Sequence, residues 1–80
     1  MPYIAPTVAP ELAQARRDYW AADGAYRMAL VALYGTASVG SLRHYHGDGY
    51  NDAPEIAPLL AARAAAFAVY GPLEYPSVYQ

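Results

Sequence analysis

Between Glu11 and Tyr34 the chain reads ELAQARRDYWAADGAYRMALVALY. Within it Leu12, Tyr19, Tyr26 and Leu33 recur every seven residues, with Ala15, Ala22 and Ala29 filling the gaps. A strict seven-residue repeat of bulky and small apolar side chains is the spacing of a helix seam that packs on another helix. One long helix therefore constrains everything else. A second stripe, Trp20, Gly24, Met28 and Val31, flanks the seam. From Tyr26 onward only Arg27 is polar, so that half is expected to be covered on more than one side. Mid-helix, Gly24 costs about 1 kcal/mol against alanine, which predicts that it makes room for the Trp20 ring or a crossing helix.

What that helix packs against is limited by size. Eighty residues form one small domain, near the length at which a single core is marginal. The hydrophobic fraction is 56%, yet Leu, Ile, Val and Phe together number only 15; alanine and nine tyrosines supply most of the rest. Alanine buries little area, and each buried tyrosine needs a partner for its hydroxyl. Such a chain is expected to complete its core against another chain.

Charge removes some classes of function. A net charge of −2, no lysine and five scattered arginines speak against nucleic-acid binding, which needs a basic patch. With no cysteine, disulfides, thiolate metal sites and cysteine nucleophiles are excluded. The first ten residues lack a basic n-region and carry internal prolines, so no secretory signal is read; the longest apolar run, Met28 to Tyr34, is too short to span a membrane. The expectation is a cytoplasmic or virion protein that neither inserts in membranes nor carries a cofactor.

Along the chain, prolines at 2, 6 and 10 predict an extended N-terminal arm over 1–10, with Thr7 capping the helix that follows. The first helix covers 11–34, and Gly35 stops it. Asp23 and Arg27 stand one turn apart in the favourable order. Residues 35–52 read as a glycine-rich loop. Within it Gly40-Ser41 fits a two-residue turn, so a short β-hairpin over 36–46 stands beside an irregular loop as an alternative. Asp52-Ala-Pro-Glu reads as a helix start, although Pro58 divides it into a turn at 53–57 and a main helix from about 58. Ile56, Leu60, Phe67 and Tyr70 form its apolar face, interrupted by Arg63, and the alanines at 61–62 and 64–66 allow close helix approach. Gly71-Pro72 is expected to end this second helix, 53–71, before a C-terminal Pro/Tyr arm over 72–80. The fold class expected is mainly α: an antiparallel two-helix hairpin with extended arms, in a single domain over 1–80.

Chemistry is sparse. His44 and His46, two apart, would point the same way on a strand and with Asp48 could hold a metal ion. Residues 47–54, Gly-Asp-Gly-Tyr-Asn-Asp-Ala-Pro, resemble the signature of P-type ion-pumping ATPases, whose aspartates help hold catalytic magnesium. The rest departs from that family: there is no Asp-Lys-Thr-Gly motif, no lysine and no membrane span, so no functional residue is carried over. Gly-Asp-Gly makes a turn and Asn-Asp-Ala-Pro starts a helix, which accounts for the likeness. No Gly-x-Ser-x-Gly elbow, phosphate-binding Gly-Lys-Ser/Thr loop or His-Glu-x-x-His is present.

The functional expectation is a non-enzymatic assembly subunit that docks on protein partners as a homo- or hetero-oligomer. Its layout of helix, glycine-rich connector, helix and aromatic tail is similar to that of small phage head–tail joining proteins; an accessory subunit of a bacterial complex also fits. Tyr19, Trp20, Tyr26, Met28, Leu30, Val31, Tyr34, Tyr75 and Tyr79 are the expected contact residues, since tyrosine and tryptophan combine apolar area with a hydrogen bond. The rival readings are a small inhibitor or regulator of a larger target, and a metal-binding module on His44, His46 and Asp48.

Overall fold

The computed structural model describes residues 9–79. The order of elements is α1 (Pro10–Tyr34), α2 (Val39–His46), a 3₁₀ segment (Gly47–Asn51), α3 (Ala57–Glu74) and a final turn, α4 (Pro76–Tyr79). Helices pack on helices, and the described residues contain no strand.

At 25 residues, α1 is about 37 Å long. It begins with Pro10 in its first turn, where a missing N–H is harmless. Ala9, without a capping side chain, occupies the N-cap; the cap expected from Thr7, like most of the expected N-terminal arm, lies outside the described residues. Gly35 ends the helix in the left-handed region at φ 81°, its N–H donating to the Val31 carbonyl at 2.8 Å. An L side chain is strained there, which is why glycine marks the stop.

The seam of α1 follows the heptad at first and then leaves it. Ala15 and Tyr26 are buried, and Leu12, Tyr19, Ala22 and Ala29 are half-buried. At the fourth bulky position the contact passes to Leu30, 1% exposed, while Leu33 is 43% exposed. A straight helix has 3.6 residues per turn, so a 3.5-residue stripe rotates about 20° per heptad away from its partner.

Facing this seam, α3 runs in the opposite sense: Arg16 meets Glu74, Tyr19 stacks on Tyr70 and Asp23 meets Arg63. Pro58 falls in the first turn of α3, after a turn at 53–56 that lets Ile56 drop into the core with no exposed surface. The Gly71-Pro72 stop is not used. The helix carries Pro72 inside it and ends at Glu74, with the Tyr75 N–H on the Gly71 carbonyl at 2.8 Å. Arg16 holds this last turn by donating to both carboxylate oxygens of Glu74 at 2.8–3.0 Å. Much of the expected extended C-terminal arm is therefore helical, in α3 or α4.

The connection between the long helices is likewise not a loop or a β-hairpin. Val39–His46 is a helix, entered through Ser38 at the N-cap, whose hydroxyl accepts from the Ser41 N–H at a long 3.5 Å. The Leu42 N–H donates to the Ser38 carbonyl at 2.9 Å. As a helix the segment drives Leu42 alone into the interior, with no exposed surface, and leaves its histidines outside. Gly47, at φ 69°, turns the chain into the 3₁₀ segment that buries Tyr50. The main core is thus Tyr26 and Leu30 from α1 with Leu42, Tyr50 and Ile56 from the connection, gathered at one end of the helix pair. The other end is zipped by Tyr19, Phe67 and Tyr70, whose ring centroids lie 5.2–6.1 Å apart.

Candidate functional site

The most polar part of the interior lies at the middle of the α1–α3 contact. Asp23 is 5% exposed and accepts from two arginines: Arg27 Nε at 2.9 Å, one turn along α1, and Arg63 Nε at 2.6 Å, from α3. Arg63 also donates from Nη2 to the Tyr19 hydroxyl at 3.1 Å, and its guanidinium lies 5.6 and 5.7 Å from the ring centres of Tyr19 and Tyr26. Burial by itself would raise the carboxyl pKa of Asp23; the hydrogen bond from Arg63 and the nearby charges of Arg27 and Arg63 outweigh it and hold it below the ordinary carboxylate value. The same pairing raises Arg63 above the usual guanidinium value. Nearby, the Tyr26 hydroxyl donates to Asn51 Oδ1 at 2.6 Å and the Tyr34 hydroxyl to the Tyr50 carbonyl at 2.8 Å, so these two hydroxyls have polar partners.

Beside this network lies a partly open cavity of about 300 Å³ between α1, α2 and the start of α3. Its lining includes Asp23, Arg27, Arg43, Asn51 and Arg63. The sequence signal for this arrangement is present though easily passed over. Asp23 and Arg63 are opposite charges; Arg63 interrupts the apolar stripe of its helix, and Asp23 borders the seam between Tyr19 and Tyr26. Opposite charges so placed are best satisfied by each other, and Asp23 is buried in the packed seam of α1. Arg43 has no comparable signal, because its position depends on α2 being a helix.

The expected metal ligands are placed differently. On an α-helix residues two apart stand about 200° apart around the axis, so His44 and His46 leave α2 in nearly opposite directions. The His46 ring lies 4.5 Å from the Tyr34 ring, and His44 packs edge-on to Tyr45 at 4.8 Å. Asp48 approaches Arg43 at 3.5 Å. Among the described residues no three His, Cys, Asp or Glu side chains are grouped to hold a metal ion.

The nine expected contact residues divide. Trp20, Met28, Val31 and Tyr75 are exposed, at 61%, 75%, 50% and 49%. Tyr26 and Leu30 belong to the chain's own core, and Tyr19 and Tyr34 are half-buried against it or against α3. Tyr79 closes α4, and its side chain lies outside what the structure describes. The expectation that Gly24 makes room for a neighbour fails among the described residues: a Cβ built there meets nothing within 4 Å.

The outer side of α3 adds a surface that includes four of the alanines expected from the sequence to allow close helix approach, those at 61–62 and 64–65. The only two charges in this helix, Arg63 and Glu74, are both turned toward α1. Outside remain Ala61, Ala62, Ala64, Ala65, Ala68, Val69, Pro72 and Leu73, all exposed. No helix among the described residues is long and apolar enough to cross a membrane. Comparison with protein-family models, with curated proteins and with solved structures finds no match to this chain.

Proposed function

We propose that the chain is a small, non-enzymatic assembly subunit that docks on partner protein chains of a larger complex through the outer faces of its two long helices. One observation carries the reading. α3 spends both of its charges on α1 and presents an uncharged outer face to solvent, with Val69 59% and Leu73 42% exposed. A helix that is apolar all round is a buried helix, and here one side has no cover among the described residues. The stripe of Trp20, Met28 and Val31 on α1 supports the same conclusion, because large exposed side chains of this type anchor interfaces.

The reading is tested by velocity sedimentation and thermal melting of the purified chain over a range of concentrations. The expected result is self-association, or a broad and low melting transition, with Val69→Asp or Met28→Asp removing the association while leaving the helical content unchanged. A chain that stays monomeric at high concentration and melts in one sharp, high transition overturns it.

A further inference from the structure

We infer that the cavity between α1, α2 and α3 is a binding site for a small tetrahedral dianion, inorganic phosphate or the phosphate group of a small monoester. Three of the five arginines of the chain line it, one from each helix: Arg27, Arg43 and Arg63. Among the described residues Asp23 is the one carboxylate in the lining, so these side chains keep a surplus of two positive charges in a chain whose net charge is −2. Such a concentration is not what scattered surface arginines produce.

The donors are also available. Asp23 uses the Nε of Arg27, and the two Nη groups of Arg27 meet no acceptor among the described residues. The nearest carboxylate to Arg43 is Asp48 at 3.5 Å, itself 95% exposed, which is a loose surface pair. Arg63, by contrast, is fixed by Asp23 and by the Tyr19 hydroxyl. Asn51 accepts from Tyr26 through its carbonyl oxygen, which leaves its amide to donate. Free guanidinium N–H groups from α1 and α2, beside the fixed positive charge of Arg63, suit an acceptor with oxygens in several directions, and phosphate offers that where a planar carboxylate does not. The volume of about 300 Å³ sits at the small end of ligand sites, which fits a compact oxyanion or short ester. A bound dianion would tie α2, which reaches the interior mainly through Leu42, to both long helices.

The test is thermal melting of the full chain titrated with sodium phosphate against sodium chloride at equal ionic strength, repeated with phenyl phosphate. Saturable stabilisation by phosphate is expected in the parent chain, and at least tenfold weaker binding in Arg43→Gln and in Arg27→Gln, both exposed enough to fold. A response to both probes assigns a site open enough for an ester; a response to inorganic phosphate alone assigns an enclosed one. Absence of a saturable shift overturns the inference. So does a shift in both variants as large as that of the parent chain, which is the mark of general exclusion of phosphate from protein surfaces. Because Met28→Asp leaves this lining intact, phosphate binding that persists in that variant separates this site from the docking faces.

Discussion

A carboxylate with 5% of its surface exposed must be paired to stay charged, and Asp23 is paired twice. Its folded-state pKa lies below the ordinary value, so its contribution to stability is complete above the unfolded value of about 3.9 and is lost as pH falls through the folded one. Asp23→Asn is expected to cost about 2 kcal/mol at pH 7, the low side for breaking a buried pair because the Arg63 side chain is one-third open to water. Urea unfolding at pH 7 and pH 3 checks this: the gap between parent and variant should narrow in acid. A gap that is unchanged or wider at pH 3 would place the cost in packing rather than in the charge.

At the scale of elements, the connection between the long helices decides the stability. Leu42, Tyr50 and Ile56 supply most of the main core, although they come from the stretch that reads as the least structured in the sequence. Leu42→Ala should therefore cost about 3 kcal/mol, a large share of the stability of a small domain, whereas Val39→Ala on the exposed side of α2 should stay within about 0.5 kcal/mol. Chemical denaturation measures both, and similar costs at the two positions would argue against the helical packing of α2. In α1, Gly24→Ala meets no neighbour among the described residues and should stabilise the chain by about 1 kcal/mol, read as a rise in Tm. A fall would mean that the glycine serves a contact beyond those within the chain.

For the whole molecule, the balance between core and surface supports the docking proposal. Among the described residues, seven apolar ones are buried and ten large apolar ones are exposed. Thin aliphatic content has this consequence: a few Leu, Ile and Tyr side chains close one end, aromatic rings zip the other, and many large apolar groups are left outside. Trp20→Ser together with Val69→Ser is expected to leave the melting of the monomer nearly unchanged and to abolish association in sedimentation. Loss of the fold instead would assign these residues to the core. Leu30→Asp cannot make this distinction, because Leu30 is buried within the chain and its charge would unfold it.

The amino-acid sequence by itself determined what local rules determine. The long helix, its Gly35 stop, the turn before Pro58 and the apolar face of Ile56, Leu60, Phe67 and Tyr70 follow from periodicity and from the backbone limits of glycine and proline. Tertiary structure decided the rest. Gly40-Ser41 is as compatible with a turn as with the first turn of a helix, and only the space for Leu42 beneath α1 selects the helix. Gly71-Pro72 is a stop signal overridden by the grip of Arg16 on Glu74. The histidine spacing carried a metal reading only while the segment was a strand; as a helix the same residues diverge, and the charged site moves to Asp23, Arg27, Arg43 and Arg63. The physical reason is that opposite charges 40 residues apart leave no periodic trace, since their pairing depends on where the helices cross rather than on spacing along the chain.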